Sequence, residues 1–229
     1  MNYKDKFQDK DKNITLYNMD CMELLKNTED NYYDLAIVDP PYGIGASGQK
    51  EVKKKRLQRK RSSAQNRKHH EEKKWDYEIP TKEYFTELER VSKNQIIWGA
   101  NYFVKHLSKG TKGWVVWDKQ QKGLWSSDGE IAYTSFNTPA RIFLQNRIIL
   151  YQEGGTIHPT QKPIKLYEWL LTHYAKEGDK ILDTHLGSAS IAIACNRLKY
   201  ELTASELDSD YFKASVKRYK EQTAQIQLF

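Results

Sequence analysis

The sequence predicts an α/β domain built on a mostly parallel sheet with helices on both faces. Short apolar runs alternate with amphipathic stretches along the chain, which is typical of strands separated by helices. Two of the apolar runs end in unusual polar segments, Asp39 to Tyr42 and Asp183 to Ser190. The 229 residues suit one domain, 1–229, with a single core.

The elements follow from the hydrophobic pattern in chain order. The predicted strands are Ile14–Tyr17, Asp34–Val38, Gln95–Trp98, Gly113–Trp117, Glu130–Phe136, Lys180–Asp183 and Glu201–Ser205. The predicted helices are Cys21–Lys26, Lys82–Val91, Asn101–Leu107, Ile164–Ala175, Ser188–Leu198 and Asp210–Glu221. Ligands of such sheets bind at the carboxyl ends of strands, so the chemistry is expected there.

Composition excludes several classes of protein. Two cysteines, Cys21 and Cys195, are too few for a disulfide framework and do not form a CxxC-type zinc site, so no metal is expected. No apolar stretch approaches the roughly 20 residues that cross a bilayer, and the first twelve residues are polar, unlike a signal peptide. We therefore expect a soluble cytoplasmic protein with no membrane contact.

The basic charge is concentrated in one segment. Residues 50–74 hold 12 Lys and Arg against 3 Asp and Glu, a balance of +9, whereas the rest of the chain sums to −2. The segment has almost no apolar residues, so we expect a mobile loop that contacts the phosphates of double-stranded DNA. A solubilising charge run is the alternative. The expected DNA contacts are Lys53, Lys54, Lys55, Arg56, Arg59, Lys60, Arg61, Arg67 and Lys68.

The first polar strand end is Asp39-Pro40-Pro41-Tyr42. Two consecutive prolines remove two backbone donors and leave only acceptors, and the residue before a proline is held extended. The Asp39 carboxylate and the Pro40 carbonyl can then accept the two N–H bonds of a substrate amine, while Tyr42 offers a flat face to a base. A rigid turn after a strand is the alternative.

The second strand end runs from Asp183 through a turn at Gly187 into a predicted helix. Helix N–H groups at such a turn face a polar ligand, but one glycine satisfies neither the dinucleotide fingerprint nor the P-loop. Glu206 follows 23 residues after Asp183, where a carboxylate can bind ribose hydroxyls. The pair fits a nucleoside without a pyrophosphate, and an ordinary strand-to-helix connection remains open.

These motifs resemble those of the DNA amino-methyltransferases, which methylate N6 of adenine or N4 of cytosine. Asp39 to Tyr42 is similar to their catalytic motif, whose aspartate form occurs mostly with adenine. The segment Asp183 to Ser190 is similar to their cofactor motif, and His158-Pro-Thr-Gln-Lys162-Pro is similar to a motif placed beside it. The catalytic motif comes first, as in the circularly permuted beta subgroup, so the resemblance implies a Rossmann-like methyltransferase fold.

The resemblance also implies the roles of individual residues. Asp39, Pro40, Pro41 and Tyr42 would be catalytic, and S-adenosylmethionine would be the cofactor. Asp20 would contact its adenine ring, although a helix N-cap is an equal alternative for this aspartate. The residues expected to contact the cofactor are Asp20, Cys21, Asp39, His158, Lys162, Asp183, Gly187, Ser188, Ser190 and Glu206.

Two residues depart from the family pattern: His185 stands in place of phenylalanine and Ala189 in place of a second glycine. The predicted activity is adenine-N6 methylation of DNA, with cytosine N4, RNA, or a silent DNA-binding protein as alternatives. Sequence readout is expected from the basic loop and from residues 118–156. A homodimer is possible. The C-terminal segment Gln-Ile-Gln-Leu228-Phe229 is similar to short peptides that bind bacterial sliding clamps, and packing of this segment on its own domain is the alternative.

Overall fold

A computed structural model describes residues 1–45, 76–121 and 127–224. The strands are β1 (Asp5–Asp9), β2 (Ile14–Asn18), β3 (Tyr33–Val38), β4 (Ser92–Trp98), β5 (Trp114–Asp118), β6 (Gly129–Thr134), β7 (Arg141–Leu144), β8 (Lys180–Asp183) and β9 (Glu201–Glu206). The helices are α1 (Cys21–Lys26), α2 (Lys82–Val91), α3 (Ile149–Gln152), α4 (Ile164–Tyr174), α5 (Ser190–Leu198) and α6 (Ser209–Ala224).

The strands form one sheet in the order β1-β2-β9-β8-β3-β4-β6-β5-β7. The five strands from β2 to β4 in this order are all parallel, whereas β1 and β6 run antiparallel to their neighbours. The described chain therefore has the predicted α/β fold on a mostly parallel sheet.

The core has two parts, one on each face of the sheet. One part is formed by the apolar sides of α4, α5 and α6, with Leu170 and Ile193 fully buried. The other lies under α1 and α2, with Leu25 and Phe85 buried. Alternate residues of a strand face opposite sides, so neighbours such as Ala36 and Ile37 supply different parts of the core.

The main elements confirm the pattern-based predictions. α1, α2 and β8 have the predicted bounds, β4 begins three residues earlier than predicted, and the other predicted strands agree to within two residues. The exposed β1 has one apolar residue, Phe7, and β7 and α3 have only four residues each, so the pattern missed all three.

The predicted helix at 101–107 is wrong. That stretch instead forms two short 3-10 turns, Ala100–Tyr102 and Val104–His106. Phe103 lies between them at φ −123°, outside the helical region, with its side chain fully buried. Burial of this ring against Phe85, at 5.3 Å between ring centres, outweighs a continuous helix.

Connectivity places the two polar strand ends side by side. β3 and β8 are adjacent and parallel, and the chain passes from β3 to β4 on one side and from β8 to β9 on the other. The strand order therefore reverses between β3 and β8. In open α/β sheets, a crevice forms at the carboxyl ends of strands at such a point.

Candidate functional site

A pocket lies at the carboxyl ends of β3, β8 and β9. It contains most of the residues that the motifs predicted, although these come from segments far apart in the chain. Its lining includes Asp20, Cys21, Asp39, Pro41, His158, Lys162, Gly187, Ser188 and Glu206. The structure thus brings the proline motif and the Gly187 turn to a single cavity.

The proline motif is held by an aspartate from beyond the basic segment. Asp76, which is 2% exposed, accepts hydrogen bonds at one carboxylate oxygen from the backbone N–H groups of Tyr42 (2.7 Å) and Gly43 (3.0 Å). These are the first two N–H groups after the prolines. Asp76 therefore fixes the direction in which the chain leaves the motif.

Tyr42 packs closely inside the site. Its hydroxyl donates to Asp39 Oδ1 at 2.5 Å, and its ring stacks on that of Tyr102 at 5.1 Å between centres and 14° between planes. Gly99 adopts φ 69° beside the ring, and a Cβ there would lie 2.1 Å from Tyr42 Cε1. The close approach of Tyr42 thus requires glycine at position 99. In this conformation Tyr102 covers one face of the ring predicted to meet a base.

Lys162 joins the two halves of the site through its buried ammonium. Its Nζ contacts Asp39 Oδ2, lies 3.1 Å from Glu130 Oε2 and donates to the Tyr42 hydroxyl at 3.3 Å. Glu130 also pairs with Lys119 at 2.7 Å. Two ammonium groups and two carboxylates therefore alternate in one network.

The electrostatics of the network favour the charged forms of Glu130 and Lys162. Burial alone would raise the pKa of Glu130, but the charges of Lys162 and Lys119 outweigh it and lower that pKa to about 2. Burial would lower the pKa of Lys162, yet the Asp39 and Glu130 carboxylates raise it. Burial raises the pKa of Asp39, and Lys162 opposes that shift.

The turn after β8 is tight and left-handed at two positions. Gly187 has φ 53° and Ala189 has φ 60° immediately before α5. The Gly187 N–H donates to Glu206 Oε2 at 2.9 Å, and the Leu186 N–H donates to the Ser205 carbonyl at 3.0 Å. Ala189 therefore keeps the conformation that a glycine would adopt more easily.

Two carboxylates near this turn have raised pKa values. Burial raises the pKa of Glu206 to about 7 and that of Asp183 to about 8, although backbone N–H groups bonded to each carboxylate oppose the shift. Glu206 accepts hydrogen bonds from the Gly187 and Asp208 N–H groups, and Asp183 accepts one from the His185 N–H. This region therefore favours a ligand that brings hydrogen-bond donors or positive charge.

Two histidines stand at the pocket wall. Burial lowers the pKa of His185 to about 4, so its ring is neutral, and its Nδ1 lies 2.9 Å from Thr184 Oγ1. His158 Nδ1 lies 3.1 Å from Thr160 Oγ1, and its ring meets that of Tyr211 edge-on at 4.4 Å between centres. The departure at 185 thus places a neutral aromatic ring where phenylalanine was expected.

Three residues predicted to contact a cofactor have other partners. Asp20 caps α1 by accepting from the Met22 N–H at 2.8 Å, which confirms the cap, and it also lines the pocket. Ser190 is buried and donates to the Lys162 carbonyl at 2.8 Å. Asp183 accepts from the His185 N–H, and neither it nor Ser190 belongs to the pocket lining.

Several residues of the candidate site were not among those that the motifs predicted. Asp76 and Glu130 reach the site from distant segments, and nothing local distinguishes them from other acidic residues. Thr184 and Tyr211 line the pocket, and their closeness to Asp183 and Glu206 in sequence was the only available signal. Long-range polar pairing depends on the fold, so periodicity does not reveal it.

Some predicted residues lie outside the ranges that the structure describes. The basic contacts at 53–68 and the C-terminal 225–229 belong to segments that the structure does not describe. In the described ranges, no three His, Cys, Asp or Glu residues group as metal ligands, and no helix is long and apolar enough to cross a membrane.

The sequence is similar to known methyltransferases. A profile of the N6/N4 methyltransferase family, described as DNA methylase, matches residues 105–217. Type II methyltransferase M2.MboI of Moraxella bovis is 24% identical over 97% of this chain and 93% of its own length. Type II methyltransferase M2.DpnII of Streptococcus pneumoniae is 38% identical over 61 residues, which are 27% of this chain and only 23% of that protein.

Solved structures share the fold at low sequence identity. The crystal structure of an M1.HpyAVI–SAM complex superimposes with a TM-score of 0.56 at 18% identity, over 90% of this chain and 99% of that one. PvuII DNA methyltransferase, described as cytosine-N4-specific, gives a TM-score of 0.59 at 14% identity, over 97% and 94%. Both likenesses support the Rossmann-like methyltransferase fold.

Proposed function

We propose that this chain, which belongs to the family of DNA amino-methyltransferases, moves a methyl group from S-adenosylmethionine to the N6 amino group of adenine in DNA. One observation carries the proposal: Asp39 and Pro41 line the same pocket as Gly187 and Glu206. An amine acceptor edge and a nucleoside site therefore share one cavity, as methyl transfer between two bound molecules requires.

The chemistry of the pocket fits this cofactor. The Glu206 carboxylate can accept hydrogen bonds from ribose hydroxyls. Gly187 lines the pocket without a side chain, so the backbone of the turn is open to a ligand. Burial raises the pKa of Glu206 to about 7, so its ionised form is disfavoured in the free chain, and a ligand that donates hydrogen bonds or carries positive charge would stabilise that form. S-adenosylmethionine carries a positive sulfonium and supplies the methyl group when it is bound.

The residues of the chain orient the amine. The Asp39 carboxylate and the Pro40 carbonyl accept the two N–H bonds, which turns the nitrogen lone pair toward the methyl group. Bound S-adenosylmethionine would supply the methyl group and leave as S-adenosylhomocysteine, and the methylated nitrogen would release one proton to solvent. Asp39 stabilises the positive charge that develops on nitrogen, so it need not be a strong base beforehand.

The base must leave the duplex to reach this edge. Tyr42 is proposed to stack on it, which requires the ring to change its contact with Tyr102. Each Asp39 oxygen already has a partner, Tyr42 or Lys162, but carries a second lone pair for the amine. The basic residues of 50–74 and the region 118–156 are proposed to hold the DNA.

The same acceptors also fit N4 of cytosine. Adenine is preferred because the aspartate form of the motif resembles adenine enzymes, whereas PvuII methyltransferase has the same fold and is described as cytosine-N4-specific. The two amino groups have the same donors, so the identity of the base is left to the experiment. An RNA substrate or a silent DNA-binding protein would give unlabelled DNA.

The test is a labelling experiment with a matched pair of variants. The purified chain is incubated with labelled S-adenosylmethionine and unmethylated DNA, which is digested to nucleosides and identified by mass spectrometry. Labelled N6-methyladenine is expected, and Asp39→Ala should lose at least ~10³-fold in rate because it removes an acceptor for the amine. Asp11→Ala, an exposed aspartate outside the site, should keep the wild-type rate.

Two results would contradict the proposal in different ways. Labelled N4-methylcytosine would keep the enzyme and replace the base. Absence of label on DNA, or an Asp39→Ala variant as active as the wild type, would reject methyl transfer to DNA by this site.

A further inference from the structure

Lys162 is held by more than the proline motif. Its ammonium has three hydrogens, and three oxygens surround it, from Asp39, Glu130 and the Tyr42 hydroxyl. Its side chain is only 1% exposed, so these contacts replace water. The ammonium also lies 5.3 Å from the centre of the Trp98 ring. The position of Lys162 is therefore determined from several sides.

Glu130 reaches this ammonium from a different part of the sheet. It lies on β6, which pairs antiparallel with β4 beyond the parallel strands that carry the motifs. One of its oxygens binds Lys162 and the other binds Lys119, whose side chain is 6% exposed. Glu130 is thus an anion between two buried cations, and it shares one of them with Asp39.

The sharing affects Asp39 directly. If Glu130 were neutral, Asp39 would be the only carboxylate paired with the Lys162 ammonium, and the ion pair between Lys162 and Asp39 would be stronger. A carboxylate fully neutralised by lysine is a weaker acceptor for a substrate amine. Because Glu130 offsets part of the Lys162 charge, the Asp39 carboxylate remains a strong hydrogen-bond acceptor. Lys162 still fixes the orientation of that carboxylate.

We propose that Glu130 is a positioning residue for the reaction, acting on Asp39 through the ammonium of Lys162 that both carboxylates share. The role rests on the proposed function, since it assumes that Asp39 accepts the amine. Glu130 itself contacts no reacting atom. Lys119 completes the arrangement by keeping Glu130 ionised.

The charges around Asp39 predict opposite effects for two substitutions. Lys162 and Tyr42 contact Asp39, and Glu130 contacts Lys162. Asp183, Tyr84 and Tyr167 also interact with Asp39 electrostatically. Glu130→Gln removes an anion, so Asp39 should ionise at lower pH. Lys119→Met removes the cation that offsets Glu130, so Asp39 should ionise at higher pH.

The experiment follows the Asp39 carboxyl carbon by NMR in the full chain, with aspartate labelled at this carbon and the signal assigned by its loss in Asp39→Asn. Glu130→Gln should lower the titration midpoint by about one pH unit, and Lys119→Met should raise it by less. Glu153→Gln is the matched control, because Glu153 is a partly buried glutamate paired with Arg218 at 3.5 Å, and its side chain has no contact to Asp39, Glu130, Lys162 or Lys119 in the described chain. It should leave the midpoint unchanged.

Activity gives a second readout. Glu130→Gln should lower kcat about tenfold with an unchanged KM for DNA, because Glu130 acts on orientation within the bound complex. Midpoints that stay in place, or that move in the same direction in both variants, would overturn the inference. If Glu130→Gln does not fold, the direction in Lys119→Met decides alone. An inactive wild type would reject the proposed function, whereas the NMR midpoints test the charge sharing without turnover.

Discussion

The two sides of the pocket handle charge in opposite ways. On the proposed catalytic side, Asp39 and Glu130 alternate with Lys162 and Lys119, so each of these partly buried carboxylates has a cation. On the cofactor side, Asp183 and Glu206 are paired only with backbone N–H groups in the hydrogen bonds of the described chain. The first pair is neutralised by lysines of the protein itself, whereas burial raises the pKa of Glu206 to about 7 and that of Asp183 to about 8 and so favours their protonated forms.

This difference indicates which side of the pocket depends on a bound ligand to stabilise its carboxylates. A balanced network is already organised, which suits a site that must orient a neutral amine. A carboxyl group that burial keeps partly protonated ionises more readily when a ligand brings hydrogen-bond donors or positive charge, and that ligand then binds more tightly. We therefore expect changes on the catalytic side to alter turnover and changes on the cofactor side to alter affinity and its pH dependence.

Among substitutions that leave Asp39 itself in place, Gly99→Ala should have the largest effect on the catalytic side. An added Cβ would lie 2.1 Å from Tyr42 Cε1, and alanine also disfavours the φ of 69° at this position. The Tyr42 ring must move away from Asp39 and Tyr102, so we expect kcat to fall by at least ~100-fold. Steady-state kinetics with DNA measures this loss, and calorimetry should show nearly unchanged affinity for S-adenosylmethionine.

The matched control is Gly110→Ala. Gly110 is exposed, and an added Cβ there would meet no atom within 4 Å. This variant should keep wild-type turnover. A Gly99→Ala chain with wild-type kcat would show that the contact between Tyr42 and Gly99 is not needed for the reaction.

Glu206→Gln should change the cofactor side in a pH-dependent manner. Burial raises the pKa of Glu206 from 4.5 to about 7, so its protonated form stabilises the free chain fully below pH 4.5, and this contribution is lost as pH rises through 7. A ligand that donates hydrogen bonds to the carboxylate favours the ionised form. Wild-type affinity for S-adenosylmethionine should therefore rise by about tenfold between pH 6 and pH 8.

Calorimetric titrations at several pH values measure this dependence. Glu206→Gln should bind more weakly at pH 8 and lose most of the rise. Glu201→Gln, at the opposite end of β9 and outside the pocket, should retain the wild-type profile. An unchanged profile in Glu206→Gln would remove Glu206 from cofactor binding.

The sequence predicted the parts of this comparison that depend on strand order. The motifs at Asp39 and Gly187 both follow apolar runs, and parallel strands bring their carboxyl ends to one edge of a sheet, so a shared pocket was predictable. Periodicity also located β8, α1 and α2 at their observed bounds.

The partners of the motifs were not predictable in the same way. Glu130 and Asp76 reach the site through tertiary contacts across 91 and 37 residues from Asp39, and no local pattern specifies such pairs. The stretch 101–107 has a helical pattern, but burial of Phe103 prevented a helix. The groups that perform the proposed chemistry were therefore predictable from the motifs. The neighbouring charges that shift the pKa values of these groups were not, because their positions depend on the fold.

Ala189→Gly should have the smallest effect, although it restores the residue that the family usually has. The left-handed conformation at φ 60° costs a residue with a Cβ about 1–2 kcal/mol, which glycine would recover. Glycine also loses a fully buried methyl group, about 0.8 kcal/mol, and gains about 0.4–1 kcal/mol of freedom in the unfolded chain. The free energy of unfolding should thus change by less than about 1 kcal/mol.

Denaturant unfolding measures this change, with Ala189→Val as the contrast. A branched side chain in this backbone conformation and in a filled core should cost at least about 2 kcal/mol. Equal stability of the two variants would show that neither the backbone conformation nor the packing at 189 restricts the cofactor turn.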